Sequence, residues 1–364
     1  MQKALNVAIV GCGRVAGHHV KAIQNHPGLN LVAISDLKPE RMSSLPAPAR
    51  TPRFVNYHEM YRRHPEIDVV AIVTPSGMHF EHALHAVETY GKSVVIEKPV
   101  VMRISQGGQL ERAAQSAGTQ VFPVHQYRFN RCVQRIRRAV RDGELGNIAL
   151  ATVRQRWCRP QQYYDRDAWR GTFALDGGCC TNQGIHHLDM LRYLAGEVTR
   201  VNAQMRTFNV DVEVEDTVTA TLEFASGALG IVEITTAARP RDYESSVSIV
   251  GTKGTAMLGG WATDKLVTFS PNPSDEQAHS DVFDDAYGFG HNDIYAGVYD
   301  SLVGGGRPAV EFDDALKTVS LLHAVYLSAE ESKWVEVAQA RESARLGRPD
   351  DELASLYRTP QPDR

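Results

Sequence analysis

Short apolar runs and helical stretches alternate through the first third of the chain. Leu5 to Val10 is such a run and ends in a glycine-rich turn. Leu31 to Ile34, Val69 to Val73, Val94 to Ile96 and Val121 to Pro123 repeat it. Between them, Val15 to Ile23, Tyr57 to Arg63, His79 to Thr89 and Gln106 to Ala117 carry helical spacing. Runs of buried-strand length separated by helices predict βαβ units and a parallel, doubly wound sheet. Past Val124 the texture changes. After a helix at Val133 to Val140, alternating strand patterns follow at 148–156, 201–207, 217–224, 228–235, 246–250 and 256–258. They predict a mostly antiparallel sheet, with helices near 181–194, 293–302 and 315–329. The expected organisation is an α/β domain over 1–124, an α+β domain over 125–347, and a polar, proline-bearing, loosely held tail over 348–364.

Composition narrows the classes. The 364 residues suit about two domains. With 39 Lys+Arg against 43 Asp+Glu, the formal charge is −4. That balance argues against broad electrostatic binding to nucleic acid or membrane. The start lacks a signal pattern, and no apolar run approaches about 18 residues, so a cytoplasmic protein is expected. The five cysteines (Cys12, Cys132, Cys158, Cys179, Cys180) include no CxxC pair, which argues against a disulfide framework or structural zinc.

Chemistry begins at the first turn. Val10-Gly11-Cys12-Gly13-Arg14-Val15-Ala16 follows a strand and opens a helix. Gly11 permits the tight turn, Gly13 lets the backbone approach a pyrophosphate, and Ala16 allows close helix–strand packing. The pyrophosphate then sits on free N–H groups at the positive helix end. Asp36 ends the next strand, where it would bond the ribose hydroxyls of NAD and repel the extra phosphate of NADP. Lys38 and Arg41 temper that charge argument. Two further strand ends are polar: Thr74-Pro75-Ser76 and Glu97-Lys98-Pro99. Ligands of open α/β sheets bind beyond such ends, so Lys98 points to the cofactor crevice. Its plain alternative is a solvated lysine paired with Glu97.

A second candidate lies at 176–191. On one continuous helix, Asn182, His186 and Asp189 fall at i, i+4 and i+7 and share a face. An amide, an imidazole and a carboxylate there can bind a hydroxyl and remove its proton. The competing reading makes His186 a core histidine and pairs Asp189 with Arg192. No metal is expected, since an amide is a poor zinc ligand and no second histidine shares the face. Upstream, Arg154, Arg156, Arg159, Arg166 and Arg170 interleave with Trp157, Tyr163, Tyr164 and Trp169. Arginine forks and aromatic faces suit an anionic, nucleotide-linked substrate; solvated arginines are the alternative.

With GCGRVAGHH, Asp36, TPSGMH at 74–79, EKP at 97–99 and GGCCTNQGIHHLD at 177–189, the chain resembles the Gfo/Idh/MocA oxidoreductases. The resemblance implies a Rossmann domain, an open-faced α+β sheet, NAD(P), reversible oxidation of a sugar or cyclitol alcohol, and oligomers (dimer or tetramer) built through the open sheet. By position, Lys98 matches the lysine that polarises the reacting hydroxyl, and His186 matches the general base. Asn182 stands where many members have aspartate, and so takes a binding role. Arg128-Phe129-Asn130-Arg131 lacks the usual proline of its motif. The cofactor contacts expected are Gly11, Gly13, Arg14, Val15 and Asp36 on the first strands, and Thr74, Pro75, His79, Glu97 and Lys98 on the later ones. The substrate contacts expected are Gln126, Arg159, Tyr163, Tyr164, Trp169 and Arg170, with Lys98, Asn182 and His186. Stretches at 159–189, 214–217, 226–230 and 287–293 resemble the UDP-N-acetyl-glucosaminuronate 3-dehydrogenase branch. The implied reaction is oxidation at C3 of such a sugar acid. Its rivals are an inositol or free-sugar dehydrogenase and a non-catalytic NAD-dependent sensor.

Overall fold

A computed structural model describes residues 3–360 apart from 284. The chain divides into two compact units. One runs up to Val124 and includes His291–Leu316 and the chain from Pro349; the other is His125–Gly290 with Lys317–Arg348.

In the first unit, β1 (Leu5–Val10), β2 (Leu29–Ser35), β3 (Arg53–Phe54), β4 (Val69–Ile72), β5 (Ser93–Ile96) and β6 (Val121–Pro123) form a six-stranded sheet in the order β3-β2-β1-β4-β5-β6. Every neighbouring pair is parallel. β4 (Val-Val-Ala-Ile) and β5 (Ser-Val-Val-Ile) are buried along their whole length, as suits apolar strands covered on both faces. Each fully buried Val or Ile stabilises the fold by about 1.5–3 kcal/mol. Strand order reverses beside β1, so the carboxyl ends of β1 and β4 flank the ligand crevice of a doubly wound fold.

The segment expected within a continuous second domain, His291–Leu316, packs on this first unit instead. Tyr299 lies so close to Gly28 that a β-carbon there would sit 2.2 Å from its ring. The Tyr299 hydroxyl donates to the Lys3 carbonyl (3.1 Å), and Ser301 donates to Gln120 (2.7 Å). The tail also departs from expectation. Asp350 caps a helix at Asp351–Ser355, and Arg358 Nε bonds both Glu81 oxygens at 3.0 Å. Residues 361–364 of the expected tail lie outside the described residues.

In the second unit, β7 (Ile148–Arg156), β8 (Val198–Arg206), β9 (Thr217–Phe224), β10 (Leu229–Thr235), β11 (Glu244–Gly251), β12 (Thr255–Gly259), β13 (Lys265–Phe269) and β14 (Val335–Glu336) form one sheet, ordered β13-β12-β11-β7-β10-β9-β8-β14. β7 and β10 run parallel, and the other neighbours are antiparallel. One face buries Val153, Val232 and Ile234, with the helix Ile185–Ala195 over β7 and the helix Gly178–Asn182 over β10; Leu229 and Ile231 stay exposed on the other. Among the described residues, no helix is long and apolar enough to cross a membrane.

The helix expected over 181–194 is two helices, Gly178–Asn182 and Ile185–Ala195. Gly184 lies in the link between them, where only glycine fits: a β-carbon there would lie 2.7 Å from Ile234 Cδ1 and 3.0 Å from the Cys180 carbonyl. The second helix is buried apart from the half-buried Tyr193, and its buried residues include His186, His187, Asp189 and Arg192.

Candidate functional site

The first unit offers a dinucleotide cradle. Gly11 has φ +94°, and a β-carbon on it would lie 2.5 Å from the Val73 carbonyl, so the turn is pressed against the end of β4. Gly13 has nothing within 4 Å of its β-carbon position, which leaves the room a pyrophosphate needs beside the backbone. The Cys12 N–H donates to Asp36 Oδ2 (2.7 Å) and the Lys38 N–H to Asp36 Oδ1 (2.8 Å). Each oxygen keeps a lone pair for a ribose hydroxyl. These residues fit NAD. Arg14 is exposed and Val15 half-buried beside the same turn.

The later strand ends use their polar groups internally. His79 is 1% exposed, and its ring nitrogens sit 2.7 Å from the Pro99 carbonyl and 2.9 Å from the Thr74 carbonyl. It joins the two turns that follow β4 and β5. Thr74 Oγ1 bonds His82 Nδ1 at 3.0 Å. Pro75 precedes a short helical turn, Ser76–Met78. The Glu97 side chain faces inward: Oε1 lies 3.0 Å from His19 Nε2 and 3.1 Å from His291 Nε2, while Oε2 accepts the Lys98 N–H (3.1 Å). Tyr295 completes the cluster at 2.9 Å from His19 Nδ1. The three acid and imidazole donors are of the sort that holds a metal, but both nitrogens stand at N–H···O distances from a single oxygen. Burial alone would raise the Glu97 pKa, yet hydrogen bonds and charge from the two imidazoles hold it well below the usual carboxylate range. Glu97 is thereby engaged by histidines that sequence reasoning passed over. Lys98 is half-buried.

The second unit positions the candidate base. His186, 7% exposed, stacks on Tyr127 with ring centroids 4.5 Å apart and an interplanar angle of 21°. The Tyr127 hydroxyl donates to the Ala286 carbonyl, which fixes the plate the imidazole rests on. Asp189 does not face outward with His186. It takes the Arg128 guanidinium in a fork (2.8 and 2.6 Å) and the Thr318 hydroxyl (2.9 Å). Arg192, its expected partner, stands at 4.0 Å. Burial would raise the Asp189 pKa, but charge from His125 and Arg128 drives it far below normal. Asn130 of the proline-less motif anchors the same turn by donating to the carbonyls of Ala262 and Thr263 (both 3.2 Å). Asn182, placed off the His186 helix by the break, donates to Asp176. Gln126 is buried; its Oε1 has no hydrogen-bond partner among the described residues.

The arginine-rich stretch separates into two groups. Arg154 and Arg156 lie on β7 and meet Glu233 of β10, at 3.9 and 2.5 Å. They form cross-strand ion pairs, whereas the plain alternative had them solvated. Arg159 and Arg170 bracket Tyr163, with guanidinium carbons 5.5 and 4.4 Å from its ring centroid. Arg159 also pairs with Asp242 (3.0 Å), and Arg170 stacks on Trp169 (4.5 Å). The Tyr163 hydroxyl accepts from Gln183 Nε2 (3.1 Å), in the link between the two short helices. Tyr164, expected to touch substrate, turns inward: it is buried and its hydroxyl lies 3.2 Å from Thr236 Oγ1.

Comparison with known proteins agrees with this architecture. A family model described as an oxidoreductase family with an NAD-binding Rossmann fold matches residues 5–125. A second, the GFO/IDH/MocA C-terminal domain, matches residues 133–257. The WlbA dehydrogenase from Bordetella pertussis, solved with NADH and UDP-GlcNAcA, is 33% identical with a TM-score of 0.85, over 92% of this chain and 98% of that one. The WlbA dehydrogenase from Chromobacterium violaceum, solved with the same two ligands, is 34% identical with a TM-score of 0.83, over 92% and 96%. D-apiose dehydrogenase from Paraburkholderia graminis is 25% identical over 92% of this chain and 90% of that protein. The chain thus belongs to the Gfo/Idh/MocA oxidoreductase family, as an NAD-dependent dehydrogenase of sugars or polyols.

Proposed function

We propose that the chain oxidises the C3 hydroxyl of a nucleotide-linked sugar acid of the UDP-N-acetyl-glucosaminuronate type. One observation carries this reading: Arg159 and Arg170 bracket Tyr163, and Gln183 ties that group to the start of the helix bearing His186. Two guanidinium groups around an aromatic ring suit a ligand with a diphosphate and a carboxylate. The likeness to two structures solved with UDP-GlcNAcA supports it.

NAD, held by Gly11, Gly13 and Asp36, supplies the hydride acceptor. His186 takes the hydroxyl proton, with its ring plane set by Tyr127. Lys98 donates a hydrogen bond to the developing alkoxide, on a backbone that the Glu97 carboxylate holds. Asn182 binds a sugar hydroxyl, oriented by Asp176. The exposed apolar strand residues Leu229 and Ile231 face a second copy of the chain in the same reading; light scattering that gives a monomer counts against that part.

Mixing the protein with NAD and UDP-N-acetyl-glucosaminuronate and following reduced-nicotinamide absorbance tests the reading. Turnover is expected. The D-apiose relative supports a second reading, a dehydrogenase of a free sugar or inositol. It predicts turnover of unconjugated polyols and indifference to loss of Arg159 or Arg170.

A further inference from the structure

A phenol hydroxyl has one proton to give and two lone pairs to receive. At Tyr163 both lone pairs are taken. Arg170 Nη1 donates to the oxygen at 2.6 Å and Gln183 Nε2 at 3.1 Å. The hydroxyl proton therefore points away from both, and among the described residues no acceptor meets it. Arg170 tells the same story. Its Nη1 is anchored on Tyr163, while its buried Nε has no hydrogen-bond partner among the described residues. Two donors are thus left unspent in a place where two guanidinium groups lie 5.5 and 4.4 Å from the centre of the Tyr163 ring. Tyr163 is half-buried and the Arg170 Nε is buried, and a buried donor without an acceptor is costly, so the arrangement points to an acceptor supplied from outside the chain. With two guanidinium groups beside it, that acceptor is an anionic oxygen. Burial pushes the Tyr163 pKa up, and the phenol keeps its proton to donate.

We infer that Tyr163 is a specificity-determining hydrogen-bond donor to an anionic oxygen of the substrate, with Arg170 as its positioning partner. The inference rests on the function proposed above and sharpens it. Gln183 and Arg170 fill the acceptor side of the phenol, so that it can act towards ligand only as a donor. An anionic oxygen is welcomed by the proton and by both guanidinium charges; a neutral hydroxyl gains little from the charges. The oxygen belongs either to the sugar carboxylate or to the diphosphate.

Tyr163→Phe removes the proton and keeps the ring on which both guanidinium groups rest. In the full-length protein, calorimetric binding and steady-state kinetics with UDP-N-acetyl-glucosaminuronate, UDP-N-acetylglucosamine and UDP separate the sources. Loss of a hydrogen bond to a charged acceptor should weaken binding roughly 10- to 100-fold, with kcat changed less than about threefold. Weakening confined to the sugar acid assigns the carboxylate. Equal weakening of all three ligands assigns the diphosphate. Arg170→Met, which releases the phenol, should give the same ligand pattern and serves as the second variant if Tyr163→Phe does not fold. Tyr163→Phe affinities equal to wild type for all three ligands would overturn the inference alone, because the proton would then make no bond to ligand. Wild-type protein that bound none of the three would bring down the proposed function together with it.

Discussion

Glu97→Gln is the sharpest stability test. The carboxylate is 4% exposed and accepts three N–H groups: two imidazoles on Oε1 and the Lys98 amide on Oε2. Glutamine has almost the same shape, but one of its two terminal positions becomes an NH2 donor. If the amide oxygen stays with His19 and His291, the new NH2 faces the Lys98 N–H, donor against donor. If it turns over, two imidazole N–H groups lose their acceptor. Each hydrogen bond to a charged group is worth about 1.5–3 kcal/mol, and part of that is returned because a buried charge no longer has to be desolvated. The expected net loss is about 2–4 kcal/mol. For a unit of this size, each kcal/mol moves Tm by about 2–4 °C, so calorimetry at neutral pH should show a fall of roughly 4–16 °C. The pH dependence has a definite sign. The folded pKa of Glu97 lies well below the ordinary value of 4.5, so its contribution is complete above that pH and fades as the solution becomes more acidic. The gap between wild type and variant should narrow below about pH 4.5. Equal midpoints at neutral pH, or a gap that widens on acidification, would refute the account of this cluster.

Other substitutions test other links. Asp189→Asn leaves the Arg128 guanidinium buried without its counter-charge, so it should destabilise by about 3–5 kcal/mol in denaturant titration. Because the folded Asp189 pKa lies far below the ordinary 3.8, the wild-type advantage is full above that pH and falls away below it. His186→Ala should lower kcat about 100- to 10,000-fold and leave NAD affinity nearly intact; undiminished turnover removes it from the mechanism. Gly11→Ala forces a β-carbon onto the Val73 carbonyl at φ +94°, so melting temperature and NAD affinity should both fall. Gly13→Ala meets no protein atom and should melt like wild type, with only NAD titration revealing a loss.

The strands were legible where hydrophobic runs were long. β6, β7 and β9 stand at the residues the pattern predicts, because alternation or unbroken apolarity marks their burial directly. β3 and β14 are two residues each, and no periodicity exists at that length. Helical spacing found the stretch near 293–302, but spacing states only that a helix has an apolar face. It does not say which core receives that face, and the face went to the first unit, against Gly28.

The candidate site shows the same division between local and distant information. Gly11, Gly13 and Asp36 could be read because a phosphate cradle is built from neighbours in sequence. Glu97 could not, since its imidazoles arrive from 78 and 194 residues away. The spacing of Arg154 to Arg170 along the chain shows no distant carboxylate, whereas β-sheet register sets Glu233 of β10 opposite Arg154 and beside Arg156. Helical spacing joins Asn182 to His186 across Gly184, whereas the two residues lie on separate helices, Gly178–Asn182 and Ile185–Ala195. What survived in each case was the type of residue, and what changed was its partner. Where a side chain's partners lie within a few residues, spacing identifies its work. Where the fold supplies the partners, as for Glu97, Asp189 and Tyr163, the work becomes visible only when every donor and acceptor has been accounted for.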